Sequence, residues 1–343
     1  MGTVLVSGGS GFLGGWCLIQ ALQAGHDVRT TVRNLAREAQ VREALAPHVD
    51  AGARLSFFAA DLGADDGWAE AVNGCDYVLH VASPFPPAQP KDPDELIVPA
   101  RDGTLRVLGA ALEAGARRVV VTSSSAAIRN SGVALPPRPL TEDDWTDPEN
   151  PELTPYTRSK TIAERAAWDF VTRSGQTERL AVVNPVAIVG PTLNDDLSYS
   201  LQAVQRMLKG MPGVPRLGFS FVDVRDVADL HMRAMTTAEA GGERFLASNR
   251  FLWMSEVGEI LRERLGPDAA KVPTRTVPNF VVRGMARFDA GLRSVVGDLG
   301  RRVEYSNEKA RTRLGWSPRP IEDTIVECAR SLIEVGAAPA RAA

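Results

Sequence analysis

The chain has 343 residues, a formal net charge of −3 and a hydrophobic content of 44%, as is typical of a soluble globular protein long enough for one large core or two lobes. This charge balance does not favour nucleic acid as a partner, and no apolar run approaches the roughly 20 residues that a membrane span requires. The three cysteines form no CxxC pair or disulfide framework, and the four histidines lack zinc-ligand spacing. The first residues run straight into a strand pattern, which leaves no room for a signal peptide, so we expect a cytoplasmic protein without an obvious metal.

Short β-branched runs alternate with helical stretches through the first half of the chain. Strands are predicted at Thr3–Ser7, Val28–Arg33, Arg54–Ala59, Tyr77–Val81, Arg117–Thr122 and Leu180–Asn184, and helices at Gly11–Ala24, Leu35–Ala46 and Gly103–Ala114. Alternation of this kind, with nearly continuous apolar strands, predicts an α/β fold with a doubly wound parallel sheet of the Rossmann type. Ligands of such sheets bind beyond the carboxyl ends of the strands.

The strand–helix alternation stops after Gly190, where glycine and proline become frequent. We expect the chain to return to the sheet near Phe221–Ala234 and again at Glu243–Ala247. The predicted division is a cofactor-binding domain over 1–190, with its sheet completed by about 219–248, and a smaller substrate-binding lobe over 191–218 and 249–343.

A strand, a glycine-rich turn and a helix start follow one another over Val4–Gly14. Gly8 would permit the tight turn, Gly11 would admit a pyrophosphate close to the backbone, and Gly14 would let helix and strand pack closely. The free N–H groups and the dipole of the helix favour phosphate there. An ordinary strand–helix turn is the alternative, but the context favours a dinucleotide site. The predicted contacts in this loop are Gly8, Ser10, Gly11, Phe12, Leu13 and Gly14.

The end of the second strand discriminates between nicotinamide cofactors, because an acidic residue there favours the ribose of NAD and arginine accommodates the 2′-phosphate of NADP. Arg33 ends this strand and therefore favours NADP(H), with Arg37 as a weaker helper whose alternative is a solvated helix face. Asp61 and Leu62 follow the third strand at the expected height of the adenine. Asp61 could instead cap a helix over Ala64–Val72.

Three side chains suited to carbonyl chemistry lie further along the chain. Ser124 follows the fifth strand, and Tyr156 and Lys160 are one helical turn apart. A carbonyl that accepts hydride needs a proton, but a tyrosine with a pKa near 10 is a poor acid at neutral pH. Lys160 would lower that pKa and hold the nicotinamide ribose, and Ser124 would donate to the same carbonyl oxygen. Each residue alone has an ordinary structural alternative, but together they favour catalysis.

With these residues the chain resembles the extended short-chain dehydrogenase/reductase family, and within it the dihydroflavonol 4-reductase-like branch, which includes plant flavonoid and cinnamoyl-CoA reductases and microbial aldehyde/ketone reductases. The resemblance covers most of the chain and rests on Gly8–Gly14, Thr31–Arg33, Ala60–Leu62, His80–Pro84, Val121–Ser124, Tyr156–Lys160, Asn184–Pro185 and Ser306–Ala310. It implies NADP(H) as cofactor and a small-molecule aldehyde or ketone as substrate. Homodimers are common among such relatives, although no self-complementary surface can be read from this sequence.

The resemblance also implies residue roles. The family pattern assigns proton transfer to Tyr156, ribose binding and pKa lowering to Lys160, and substrate polarisation to Ser124. It implies further cofactor contacts from Val81, Ala82, Ser83, Thr122, Pro185, Val186 and Ser198.

Two departures from the branch limit the substrate class. The Asn-Trp-Tyr-Cys-Tyr stretch of cinnamoyl-CoA reductases is replaced by Pro151–Tyr156, which disfavours a CoA thioester. The position of the substrate-binding asparagine of flavonoid reductases falls near Arg129 or Asn130, so flavonoid specificity lacks support.

Position alone suggests further substrate contacts beside Ser124. Their alternative is hydrophobic filling between the lobes, and they are Phe85, Ile128 and Tyr199. An apolar pocket with one polar focus suits an aromatic or aliphatic carbonyl compound.

The predicted function is an NADPH-dependent carbonyl reductase, reversible as an alcohol dehydrogenase, with hydride from the nicotinamide and the proton from Tyr156. The nearest rival is an NAD-dependent nucleotide-sugar epimerase or dehydratase, and a hydroxysteroid dehydrogenase is a weaker one. A non-catalytic NADP(H)-sensing protein is the rival from another class, but it would not need Ser124, Tyr156 and Lys160 together.

Overall fold

A computed structural model describes residues 1–84, 90, 92–129, 134–195, 197–288 and 296–339. The strands are β1 Thr3–Ser7, β2 Asp27–Val32, β3 Leu55–Ala59, β4 Tyr77–His80, β5 Arg118–Thr122, β6 Leu180–Pro185, β7 Ala187–Val189, β8 Val214–Pro215, β9 Gly218–Asp223, β10 Glu243–Ala247, β11 Arg250–Trp253 and β12 Thr276–Val277. The helices are α1 Phe12–Gln23, α2 Glu38–Leu45, α3 Trp68–Val72, α4 Asp94–Glu113, α5 Pro155–Arg173, α6 Tyr199–Lys209, α7 Val224–Thr236, α8 Met254–Leu265, α9 Asn279–Met285, α10 Glu308–Leu314 and α11 Ile321–Glu334.

The main sheet has seven strands in the order β3-β2-β1-β4-β5-β6-β10, and every neighbouring pair is parallel. The predicted doubly wound Rossmann sheet is therefore confirmed, and the six strands predicted in the first half lie within one residue of their expected bounds. One face of the sheet packs against α1, α2 and α7, and the other against α3, α4 and α5. The carboxyl ends of β1, β4 and β5 thus lie side by side at one edge.

Two of the predicted helices differ in extent. The helix expected at Gly103–Ala114 begins earlier, at Asp94, and passes through Pro99, a residue type that normally interrupts helices. It continues because its buried positions, among them Leu96 and Ala100, pack onto the sheet at helical spacing. The helix expected at Leu35–Ala46 is a 3₁₀ turn over Leu35–Arg37 followed by α2.

The predicted return to the main sheet is half correct. The segment Glu243–Ala247 joins it as β10 beside β6. In contrast, the Phe221–Ala234 stretch does not join the main sheet. Its first residues belong to β9, which pairs with β7 and β11 in a separate three-stranded sheet, and the rest forms α7, which packs on the main sheet. The chain leaves the main sheet after Pro185, which has no N–H to donate to a ladder, and turns at Gly190, whose φ is +133°.

A second hydrophobic core lies under the smaller sheet. It gathers α6, α8 and α11 around β9, with Leu201, Phe221, Leu261 and Ile325 among its buried members. Within the described residues, no helix is both long and apolar enough to cross a membrane.

Candidate active site

The turn between β1 and α1 depends on glycine at two positions. Gly8 has a φ of +72°, and its carbonyl oxygen accepts a hydrogen bond of 3.0 Å from the Gly11 N–H. A Cβ atom on Gly14 would lie 2.2 Å from that same oxygen. Glycine at position 14 is therefore what allows α1 to begin directly against the turn.

The start of α1 is suited to an anion. A Cβ atom on Gly11 would meet the Gly8 oxygen at 3.3 Å and no other neighbouring atom within 4 Å among the described residues, so this side of the loop is open. Gly11 is the N-cap and has no side chain to cap the helix, and the first turn contains no acidic residue. The first N–H groups and the helix dipole therefore face an open cradle that a pyrophosphate would fill.

Ser7 and His80 join the ends of β1 and β4, where they are paired in register. The Ser7 hydroxyl accepts hydrogen bonds of 3.0 Å from the N–H groups of Val81 and Ala82 and lies 2.9 Å from His80 Nδ1. With both lone pairs engaged, the hydroxyl donates to Nδ1, so His80 is neutral. The burial of His80 also favours the neutral imidazole, because it lowers the pKa of His80 to about 3. The sequence analysis assigned no role to this pair, which holds in place the chain predicted to run along the cofactor.

The three predicted catalytic residues come together at the edge where β4 and β5 end. Ser124 follows β5 and caps a 3₁₀ turn, accepting from the Ala126 N–H at 3.1 Å. Tyr156 is the second residue of α5, whose N-cap Thr154 accepts from the Thr157 N–H. The Ser124 hydroxyl lies beside the phenol of Tyr156, and its hydrogen-bonding interaction with the phenol lowers the pKa of that group. A carbonyl oxygen placed between them would have two donors.

Lys160 lies one turn further along α5 and is buried. Its Nζ donates a 2.9 Å hydrogen bond to Ser83 Oγ, which places the ammonium beside the chain that follows β4. Burial lowers the pKa of Lys160 to about 8, an effect that the nearby charge of Glu164 partly opposes. The ammonium is therefore close to losing its proton in the neutral to weakly alkaline range.

The expectation that Tyr156 has a lowered pKa is wrong for this arrangement. Desolvation around the phenol raises the pKa of Tyr156, and the hydrogen bond from Ser124 lowers it by less. The surroundings disfavour phenolate because burial penalises the charged form of the phenol. Tyr156 is consequently a protonated donor near neutral pH.

The residues predicted to select the cofactor lie at the same edge of the sheet. Arg33 directly follows β2 and its side chain is exposed. Arg37 lies in the following 3₁₀ turn, with its Nε 3.4 Å from Gln40 Oε1. Asp61 is exposed and accepts a 2.7 Å hydrogen bond from the Gly63 N–H, and Leu62 packs against Gly103 of α4.

The alternative role for Asp61 as a helix cap is wrong. The helix expected over Ala64–Val72 begins at Trp68, with Gly67 as its N-cap. Asp61 lies too far upstream to cap it, and its carboxylate instead closes a local turn.

The remaining predicted cofactor residues are distributed around this edge. The Thr122 hydroxyl lies 2.7 Å from His231 Nε2, so a contact from Thr122 to a cofactor would use its backbone. Pro185, the last residue of β6, and Val186 after it are both buried. Ser198 is the N-cap of α6, and its buried Oγ has no hydrogen-bond partner among the described residues.

The chain leading to Ser198 crosses the start of α1. Trp16 Nε1 donates to the Pro191 carbonyl oxygen at 2.9 Å. A Cβ on Gly15 would lie 2.6 Å from Leu193 Cδ1. The orphaned Ser198 hydroxyl therefore follows a segment packed against the phosphate cradle, which fits its predicted role.

The predicted substrate contacts have different outcomes. Ile128 is 1% exposed and packs with Leu140, Leu246 and Val303, which favours the alternative of hydrophobic filling over a substrate contact. Tyr199 begins α6 and is 43% exposed, which leaves its ring accessible. Phe85 lies outside the described residues.

Comparisons with known proteins agree with this geometry. The model of the NAD dependent epimerase/dehydratase family matches residues 4–247. Tetraketide alpha-pyrone reductase 2 of Arabidopsis thaliana is 36% identical over 270 residues, covering 77% of this chain and 83% of that protein. Cinnamoyl-CoA reductase 1 of Petunia hybrida is 33% identical over 341 residues, covering 98% and 93%. The structure of yeast methylglyoxal/isovaleraldehyde reductase Gre2 complexed with NADPH has a TM-score of 0.79 at 25% identity, covering 98% of this chain and 99% of that one.

Proposed function

Because the chain belongs to the NAD dependent epimerase/dehydratase family, the extended short-chain dehydrogenases/reductases, we propose that it is an NADPH-dependent reductase of aldehydes or ketones, reversible as an alcohol dehydrogenase. The observation that carries this proposal is the placement of the Ser124 hydroxyl beside the Tyr156 phenol, at the sheet edge that also holds the glycine cradle. Two hydroxyl donors that meet at one point suit a carbonyl oxygen that gains negative charge.

The residues around the cradle fit NADPH. The start of α1 would take the pyrophosphate, Arg33 the 2′-phosphate, and Lys160 the nicotinamide ribose. When bound, NADPH would supply the hydride. The 1–190 region with β10 would then carry the cofactor, and the 191–218 and 249–343 regions would carry the substrate pocket.

The chain's own contribution to the reaction is to hold the carbonyl oxygen and to move a proton. Ser124 and Tyr156 would both donate to the oxygen, and Tyr156 would transfer its proton as the oxygen becomes an alcohol. Its raised pKa keeps the phenol protonated before the reaction. The Lys160 ammonium, held by Ser83, would stabilise the phenolate left behind.

The relatives and the sequence both support the proposed substrate class. The Gre2 structure is named for methylglyoxal and isovaleraldehyde reduction, and small carbonyl compounds of that kind fit one polar focus in an apolar site. Although cinnamoyl-CoA reductases are among the relatives, the Pro151–Tyr156 stretch lacks their signature, which favours a free aldehyde or ketone over a CoA thioester.

The rival functions make different demands. A nucleotide-sugar epimerase would retain NAD through purification, and an exposed Arg33 after β2 favours the 2′-phosphate instead. An NADP(H)-sensing protein would have no use for a Ser124–Tyr156 pair.

The proposal is tested by measuring the oxidation of NADPH and of NADH, by absorbance, in the presence of aryl and alkyl aldehydes, ketones and diketones as substrates. Turnover with NADPH well above that with NADH supports the proposal. Tight NADPH binding without turnover of any carbonyl compound would overturn it in favour of a sensor. NAD that co-purifies with the protein would favour the epimerase.

A further inference from the structure

We propose that Glu164 is a positioning residue of this site, which acts with Asn184 and Arg244 to hold the Ser124 backbone in place and to set a negative charge behind Lys160. This inference rests on the proposed reductase function. It extends that function to buried residues on α5, β6 and β10 that lie behind the reacting groups.

Glu164 is a fully engaged buried carboxylate. It is 1% exposed and lies one helical turn after Lys160. One of its oxygens accepts from Ser123 Oγ at 2.5 Å and from Asn184 Nδ2 at 2.7 Å. The other accepts from Arg244 Nε at 2.5 Å and from Trp168 Nε1 at 3.4 Å. An ionised carboxylate only accepts hydrogen bonds, and this one accepts from four donors. Glu164 is therefore held as a carboxylate in one orientation.

Asn184 carries that orientation to the catalytic serine. Its Nδ2 also donates to the Ser124 carbonyl oxygen at 3.1 Å, and the side chain has no exposed surface. Both partners of Nδ2 are acceptors, so the amide cannot be turned over without losing two hydrogen bonds. Glu164 is thus linked to Ser124 through Asn184, and to the preceding Ser123 directly.

Arg244 provides the balancing charge. It is 7% exposed, donates from Nη1 to the Glu142 carbonyl oxygen at 2.7 Å, and has its guanidinium 3.6 Å from the centre of the Trp145 ring. A buried carboxylate without a cation would be strongly unfavourable. The side of Glu164 that does not face the serines is therefore fixed by β10.

The charge of Glu164 also acts on Lys160. Burial lowers the pKa of Lys160 to about 8, and the negative charge of Glu164 raises it. His80, on β4, also faces Lys160, but burial holds its pKa near 3, so it is neutral where Lys160 titrates. Loss of the Glu164 charge should therefore move the titration of Lys160 to lower pH.

The experiment measures kcat and KM for the best carbonyl substrate from about pH 6 to about pH 10. In Glu164→Gln we expect kcat at neutral pH to fall about tenfold or more with little change in KM, and the alkaline limb of the profile to move to lower pH. In Asn184→Ala we expect a fall in kcat with the alkaline limb in its wild-type place, because the charge behind Lys160 remains.

Two further variants separate positioning from stability. The double variant Glu164→Gln/Arg244→Met removes both charges and avoids an unpaired buried guanidinium, so it serves if Glu164→Gln fails to fold. Asp226→Asn removes another buried carboxylate, which accepts a 2.8 Å hydrogen bond from Arg319 Nε. This control should lower thermal stability without moving the alkaline limb of the pH profile.

The outcomes are distinguishable from failure of the proposed function. Absence of wild-type turnover would refute the reductase, whereas the pH dependence of NADPH binding, followed by protein fluorescence, would still report on Lys160 without a carbonyl substrate. A Glu164→Gln variant with wild-type kcat and wild-type limb overturns the inference. So does a variant that loses activity only in parallel with thermal stability, as the Asp226 control would.

Discussion

The Nζ atom of Lys160 lies 2.9 Å from Oγ of Ser83, so a buried ammonium on α5 is joined to the chain that leaves β4. The same chain is also held by the Ser7 hydroxyl at the end of β1, which accepts hydrogen bonds from the N–H groups of Val81 and Ala82. The cation that would hold the ribose is therefore positioned by two neighbouring strands as well as by its own helix.

The substitution Ser83→Ala should weaken NADPH binding by about tenfold, because it removes a charge-assisted hydrogen bond that orients Lys160. A fluorescence titration with NADPH measures the change. The matched control is Ser220→Ala, since the Ser220 hydroxyl donates to the Val303 carbonyl oxygen in a buried place away from this chain. The control should lose some stability and keep its affinity, and equal affinities for both variants would contradict the prediction.

The substitution Tyr156→Phe should lower kcat by at least about 100-fold, because the proton donor is lost. NADPH affinity should remain within a small factor of the wild-type value, since Lys160 and the glycine cradle are intact. Steady-state kinetics and a cofactor titration on the same preparation test both statements. Retained turnover would remove Tyr156 from the reaction.

Reductive activity should decline as the pH rises through about 8, because Lys160, whose burial lowers its pKa to about 8, loses its charge there. The sign follows from the ammonium being the active form, which is present below that pH. Tyr156 does not produce this limb, since its pKa is raised above its ordinary value near 10. A pH profile of kcat in which the decline persists in Lys160→Met would argue against this assignment.

The substitution Arg33→Ser should reduce the preference for NADPH over NADH by about tenfold, with little effect on NADH, because a guanidinium opposite the 2′-phosphate contributes to NADPH alone. The ratio of kcat/KM for the two cofactors is the measurement. Arg37→Ser is the neighbouring control and should have the smaller effect. An unchanged ratio in Arg33→Ser would exclude the assigned role.

The substitution Gly14→Ala should abolish NADPH binding, since the added Cβ would lie 2.2 Å from the Gly8 carbonyl oxygen and force α1 away from the turn. Gly284→Ala is the matched control, because a Cβ there meets no atom within 4 Å among the described residues. Calorimetric titration with NADPH and thermal unfolding of both variants check the contrast. Normal binding by Gly14→Ala would show that the cradle adapts to a side chain.

The parts of the site that could be predicted are those that local sequence encodes. The glycine spacing over Gly8–Gly14 implies its own turn, and the four-residue spacing of Tyr156 and Lys160 implies a shared helix face. The position of Arg33 at the end of a strand could also be predicted from local sequence, because a short parallel strand has a recognisable apolar pattern.

The parts that could not be predicted depend on which strands become neighbours. The contact between Glu164 and Arg244 spans 80 residues of sequence, and that between Ser7 and His80 spans 73. The local pattern predicts a strand at Glu243–Ala247, but it does not indicate that this strand pairs with β6, so the contact of Arg244 with Glu164 could not be foreseen. The surroundings of Ile128 were hidden for a related reason, since the hydrophobic cluster that covers it includes Leu246 and Val303, both distant in sequence.

The position of β10 has a consequence for the order in which the protein can mature on the ribosome. The residues proposed to react with substrate all emerge before position 161, but Arg244 emerges some 80 residues later. Until then β6 is an open sheet edge, and the Glu164 carboxylate lacks its salt bridge to Arg244. A nascent chain that has reached Gly190 therefore has the glycine cradle, the tyrosine helix and Asn184, but it lacks the guanidinium that pairs with Glu164, and the site becomes complete only once Arg244 has been made.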